Sequence, residues 1–167
     1  MISETFAHEL ESIVGKPHVC MTDTGIELYS YDASQAQSRP GIVVFPKDTQ
    51  QVSQVVKAAN AAGVDFIPRG FGTNLSGGTI SVTQGLVICL SRLNRILEIH
   101  PQSRYAVVQP GVTNFEVQQA LARFGAFYAP DPASQKVATL GGNVGENSGG
   151  PLCLKYGVTS NHILGME

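Results

Sequence analysis

Apolar residues recur at helical spacing in three stretches of the chain and as short unbroken runs in several others. Residues 3–14 place Phe6, Leu10, Ile13 and Val14 on one face behind Ser3, a residue that caps helices, so an amphipathic helix is predicted there. Residues 15–40 have no period and contain the turn-rich runs Asp23-Thr24-Gly25 and Asp32-Ala33-Ser34. They read as a short helical or irregular approach to the main sheet, which makes residues 1–40 an N-terminal helical arm. Residues 42–45 form a buried-type strand stopped by Pro46. Asp48 with Gln51 makes a capping box, Val52, Val55, Val56, Ala59 and Ala62 follow at helical spacing, and Gly63 suits the position just past a helix end. Residues 64–68 are the next strand. Strand, helix and strand with short joins predict a βαβ unit with parallel strands and a right-handed crossover.

After that the rhythm changes. Residues 85–90, 96–100 and 105–109 are short strands with brief connections, which suggests an antiparallel or mixed sheet. Thr113 with Glu116 forms a second capping box, and Val117, Leu121 and Phe124 continue a helix ended by Gly125. In residues 126–136, Pro130 and Pro132 impose extended backbone on an ordered loop. The fold class is α+β: a βαβ subdomain followed by a mixed or antiparallel subdomain.

Composition narrows the function classes. The 11 Lys and Arg balance 13 Asp and Glu, and charged residues are only 14% of the 167, so a disordered chain is excluded. The near-neutral balance argues against nucleic acid as a partner. No apolar run approaches the ~20 residues that span a bilayer, and Glu4, Glu9 and Glu11 do not suit a secretory signal. Cys20, Cys89 and Cys153 are too few and too scattered for a disulfide framework or zinc site. The expectation is a soluble, cytoplasmic protein. His8, His18, His100 and His162 lack the spacing of a metal set and read as ordinary surface histidines, so no metal is expected.

Glycine is the exception: 18 residues, nine of them in two windows. The first runs Pro68-Arg69-Gly70-Phe71-Gly72-Thr73-Asn74-Leu75-Ser76-Gly77-Gly78-Thr79, and Arg69 is the only charged residue from 66 to 91. It follows a strand of the βαβ unit, at the carboxyl edge where open parallel sheets bind ligands. Such a loop presents backbone N–H groups as a nest for phosphate or pyrophosphate; the alternative is a tight surface turn. Gly72 and Gly77 have P-loop spacing, but Gly78 and Thr79 stand where the lysine and hydroxyl residue belong, which argues against ATP or GTP hydrolysis. Leu75 replaces the third glycine of a dinucleotide fingerprint, and a strand follows where that motif has a helix.

The second window holds Thr139, Gly141, Gly142, Asn143, Gly145, Gly149 and Gly150. Thr139 can cap a short helix near an anion, or the window is a glycine-rich turn packed on the sheet. Just before it, the rigid run Pro130-Asp131-Pro132-Ala133-Ser134 can aim Ser134 at a ligand. Cys89 reads as core, and Cys153 as an incidental loop cysteine. Lys155-Tyr156 either touches a ligand or belongs to a solvated loop.

Taken together, residues 68–78, 108–111, 128–134, 139–150 and 154–157 resemble the FAD-linked oxidases of the p-cresol methylhydroxylase and vanillyl-alcohol oxidase type. The nearest branch is the glycolate oxidase FAD subunit with its D-lactate dehydrogenase relatives. The resemblance runs from about Gly41 to the end, in order and with matching spacing. It implies that residues 41–167 are an FAD-binding domain of two α+β subdomains, truncated at its C-terminal end. It also implies that the loop from Arg69 to Gly78 wraps the FAD pyrophosphate. Pro132, Ser134, Thr139, Gly141, Gly142 and Asn143 would lie along the same cofactor, with Gly149, Gly150, Tyr156 and Gly157 near the flavin or adenine.

The implied chemistry is hydride removal from the carbinol carbon of a 2-hydroxy acid to flavin, giving a 2-oxo acid. The implied partners are that acid and other oxidase subunits. Phe71 departs from the small residue usual in the family, and Leu152 from its frequent arginine. The ending at Leu164-Gly165-Met166-Glu167 falls where the pattern continues into a further strand, so catalytic residues, substrate-binding groups and metal ligands are expected beyond Glu167. With no histidine or tyrosine in residues 66–91 and only Cys89 as a thiol, FAD is expected to be non-covalent. Two other readings stand beside this one: a truncated, non-catalytic flavin-binding or interaction module that self-associates, and a related FAD domain for sugars or phenols.

Overall fold

Ser3 opens the first helix as its periodicity predicts: its hydroxyl accepts the Phe6 N–H at 3.2 Å. The helix, α1 (Glu4–Val14), buries Phe6, Ala7, Leu10 and Val14. The computed structural model describes residues 2–167, so residue 1 of the predicted arm lies outside the described residues. The chain forms two compact units, one ending at Leu93 and the other spanning Asn94–Glu167. α1 packs into the same core as the strands that follow it.

In the first unit, β1 (Val19–Cys20), β2 (Ile42–Val44), β3 (Phe66–Arg69) and β4 (Leu86–Cys89) make one sheet in the order β1-β2-β4-β3. A short helix, α2 (Asp23–Glu27), follows β1. The helix α3 (Thr49–Ala62) joins β2 to β3. The Asp48 side chain accepts the Gln51 N–H, and Gly63 ends the helix at φ +63°. One face of the sheet packs Ile42, Val44, Leu86 and Ile88 against Phe6 and Leu10 of α1 and Val55, Ala58 and Ala59 of α3. Each large side chain fully buried there contributes about 1.5–3 kcal/mol.

The strand at 86–89 corrects an expectation. It is not the start of an antiparallel sheet but the strand between β2 and β3, parallel to both, with Val87 beside Val43 and Ile67. Its four consecutive buried residues, Leu-Val-Ile-Cys, are the signature of a parallel strand covered on both faces. What hid this is the crossover. Parallel neighbours need a connection of a dozen or more residues, usually a helix. Here the connection is the glycine loop itself, residues 70–85. β2 and β3 are parallel as predicted, but with β4 between them.

In the second unit β5 (Ile96–His100) and β6 (Tyr105–Val108) form the predicted antiparallel pair, with an irregularity between Ile96 and Glu98. The helix α4 (Asn114–Ala122) carries the predicted capping box: the Thr113 hydroxyl accepts the Glu116 N–H, and the Glu116 carboxylate accepts the Thr113 N–H at 2.8 Å. Thr139 caps α5 (Leu140–Glu146), and a short helical turn, α6 (Cys153–Tyr156), occupies what read as loop. Val112, Val117 and Leu140 form the unit's core, with Ile96, Val108, Leu121 and Tyr128 against them. Among the described residues, no helix is long and apolar enough to cross a membrane.

Candidate functional site

The first glycine window leaves the carboxyl end of β3 and is held from behind by its own side chains. Arg69 is buried at 6% exposure. Its guanidinium donates to the Tyr31 carbonyl at 2.7 Å and to the Thr79 hydroxyl at 3.3 Å, and sits 5.4 Å from the Tyr29 ring centroid. Burial pushes the guanidinium below its ordinary value, an effect that Cys89 and Asp32 partly offset. The same burial raises the Tyr29 phenol. A Cβ on Gly72 (φ +69°) would come within 2.8 Å of the Arg69 Cζ, so this glycine makes room for the guanidinium. The sole charge of the loop is therefore spent on shaping it.

Asn74 donates to the Asp32 carboxylate at 2.8 Å, and the Thr79 hydroxyl lies 3.3 Å from the same oxygen. The Ala33 N–H donates to the Gly72 carbonyl at 3.1 Å. Phe71 is exposed, and Gly77 turns at φ +76° with only ordinary contacts around the place of a Cβ. Among the described residues, the backbone N–H groups of Gly70, Phe71, Gly72, Thr73, Leu75, Gly77 and Gly78 donate to no protein acceptor. A run of such donors, free of acidic side chains of its own, suits the oxygens of a pyrophosphate.

The second window is built differently. Its N–H groups are used internally: Gly141 donates to the Pro110 carbonyl, Gly142 to the Thr139 hydroxyl, and Asn143 to the Thr139 carbonyl. The buried Asn143 side chain donates to the Asn114 amide oxygen, and Asn114 donates to the Pro130 carbonyl at 2.7 Å. That pair fixes the loop leading to Pro132 and Ser134, whose carbonyls accept from Gln135 and from Val137 and Ala138. A Cβ on Gly141 would lie 2.7 Å from that of Pro110. Gly149 packs on Cys153, and Gly150 (φ +120°) passes so close to Asp131 that a Cβ would fall 2.3 Å from its carbonyl oxygen. Gly157 turns at φ +87° beside Asn161, and Tyr156 meets Phe127 edge-on at 5.6 Å. The Leu152 N–H donates to the Asp131 carboxylate at 3.2 Å. Burial raises the Tyr128 phenol, an effect the Thr159 hydroxyl partly offsets.

Sequence reasoning overlooked two residues. Asp32 read only as part of a turn, and Asn114 only as the first residue after a cap. The Asp-x-Ser spacing of an Asx turn was the available signal for Asp32; for Asn114 there was none, since its partners lie 16 and 29 residues away.

A glycine-lined crossover with unengaged N–H groups at the carboxyl edge of parallel strands, in an α+β fold, has the form of a cradle for phosphate oxygens. The chain belongs to the FAD-binding domain family, whose sequence profile matches residues 40–167. It is 41% identical to glycolate oxidase subunit GlcD of Bacillus subtilis, over 100% of this chain and 36% of that protein. It is 34% identical to D-2-hydroxyglutarate dehydrogenase of Stutzerimonas stutzeri, again over 100% of this chain and 36% of that one. Its fold matches p-cresol methylhydroxylase with a TM-score of 0.73, at 23% identity over 86% of this chain and 29% of that one. The resemblance drawn from the glycine windows thus holds for family and fold, and FAD is the family's cofactor. The chain spans about a third of the length of the relatives it matches.

Proposed function

We propose that this chain is the FAD-binding portion of an oxidoreductase that converts a 2-hydroxy acid of the glycolate or D-lactate kind to a 2-oxo acid. The observation that carries the reading is the set of unengaged N–H groups at Gly70, Phe71, Gly72, Thr73, Leu75, Gly77 and Gly78, beside relatives named for glycolate and D-2-hydroxyglutarate oxidation. These N–H groups hold the FAD pyrophosphate; Arg69, Asn74 and Thr79 keep the loop in shape, and Pro68 lies in the strand that launches it. In the second unit Thr139, Gly141, Gly142 and Asn143 hold the helix turn. Bound FAD supplies the hydride acceptor; the protein supplies orientation and charge.

The cofactor is held non-covalently, since residues 66–91 offer no histidine or tyrosine, and Cys89 is buried in β4. The enzyme works in the cytoplasm with other oxidase subunits. The complete gene product is to be purified, its visible spectrum recorded, and dye reduction followed with glycolate, D-lactate and D-2-hydroxyglutarate. A yellow protein active on at least one is expected. A protein that stays colourless after FAD addition would overturn the cofactor assignment, and a yellow one that reduces dye only with a sugar or a phenol would overturn the substrate class.

A further inference from the structure

The family profile begins at residue 40, yet the glycine loop is not self-supporting from there. Its carboxylate anchor comes from upstream. Asp32 is 8% exposed and has three donors within reach: the Ser34 N–H at 2.7 Å on one oxygen, then Asn74 Nδ2 at 2.8 Å and the Thr79 hydroxyl at 3.3 Å on the other, the Thr79 proton being shared with Asn74 Oδ1 at 3.2 Å. Thr79 in turn accepts from Arg69, whose second nitrogen donates to the Tyr31 carbonyl. Two points of the loop, Asn74 and Thr79, thus face one carboxylate. The Ala33 N–H to the Gly72 carbonyl makes a third tie from the same turn.

We infer that Asp32 is a positioning residue of the FAD site, and that residues 31–34 form its back wall although they lie outside the matched profile. The inference rests on the FAD reading above. A carboxylate near a diphosphate would ordinarily repel it. Here three donors and the neighbouring guanidinium absorb the charge, and what reaches the front of the loop is its shape. An alanine at 32 leaves Asn74 and Thr79 without their common acceptor. The loop then samples many conformations, and binding must reorder it.

The test uses the complete gene product stripped of flavin, in wild-type, Asp32→Ala and Asp32→Asn forms. The asparagine has the same volume, but its single oxygen serves one of the two sides and its NH2 then faces a donor. FAD affinity is measured by titration, and hydrogen exchange is followed without flavin at Ala33 and Ile80, with 86–89 of β4 as reference. The expected result is a Kd raised at least tenfold in Asp32→Ala and at least fivefold in Asp32→Asn, with faster exchange at Ala33 and Ile80 and unchanged protection in β4. Wild-type affinity in both variants overturns the inference while leaving the FAD reading intact. Equal loss of protection in β4 also overturns it, since Asp32 would then hold the whole sheet. Failure of the wild-type protein to bind FAD would refute the reading beneath it.

Discussion

Replacing Gly77 by alanine separates conformation from sterics in the loop. Gly77 sits at φ +76°, and a Cβ there would meet only Ala36 Cβ at 3.6 Å and Ser34 Oγ at 3.8 Å, which are ordinary contacts. The cost is then that of a left-handed L-residue, about 1–2 kcal/mol. Little holds the Gly77 backbone beyond its carbonyl accepting the Ile80 N–H at 3.0 Å, so the flavin-free loop relaxes and stability barely changes. FAD binding demands the original conformation again. At about 1.4 kcal/mol per factor of ten, affinity falls roughly 5- to 30-fold. The assay is titration of the stripped complete gene product with FAD at 25 °C, alongside Gly63→Ala. Gly63 has φ +63° and open space around it, but ends α3; its substitution should lower stability and leave affinity alone. Affinity within twofold of wild type for Gly77→Ala, or an equal loss in Gly63→Ala, would refute the reasoning.

Gly150→Ala should destabilise the second unit by about 3 kcal/mol or more, because φ +120° and an oxygen at 2.3 Å both oppose a side chain; thermal unfolding checks it, and a change below 1 kcal/mol would contradict the packing. Acid precipitation of the holoprotein should release all flavin to the supernatant, whereas flavin on a peptide from residues 66–91 would mean a covalent link. Residues 1–167 alone should be colourless and inert toward glycolate and D-lactate, and should self-associate, as light scattering and dye reduction would report; stoichiometric yellow colour with steady turnover would make the short chain a complete enzyme. Burial, the largest single effect, works against the Asp32 charge, but hydrogen bonds from Ser34, Asn74 and Thr79 together outweigh it and hold the carboxyl below its ordinary value. Its stabilising effect is therefore full above that value and lost as pH falls through the lower folded value. The gap in Ala33 exchange protection between wild type and Asp32→Asn should be constant near neutrality and narrow in acid; a gap independent of pH would exclude the carboxylate as its source.

What was legible in the chain was local. Ser3, Asp48, Thr113 and Thr139 announced four helices because a cap and its N–H lie three residues apart. β5 and β6 were legible as neighbours joined by a short turn. The place of β4 was not, since its pairing with β2 spans more than forty residues and its crossover contains no helix. β1 is two residues long and carries no period. The first glycine window was visible as a cradle, but the destination of Arg69 was hidden, because its partner Tyr31 lies 38 residues upstream in a stretch without pattern. The second window kept two readings until Pro110 and Asn114 were seen to use its donors.

On the function proposed above, the glycine crossover between β3 and β4 ties flavin supply to folding. Joining parallel neighbours through sixteen residues without a helix means that closing the loop and pairing β3 are one event. β3 is also the sheet's outer strand and carries Pro68, so little else secures it. A ligand at 100 times its Kd stabilises the form it binds by about 2.7 kcal/mol, and here that energy acts on the strand least able to hold itself. Newly made chains in flavin-starved cells should therefore fray from β3 inward and reach the proteases first, so that the abundance of this protein follows riboflavin status even at constant transcription.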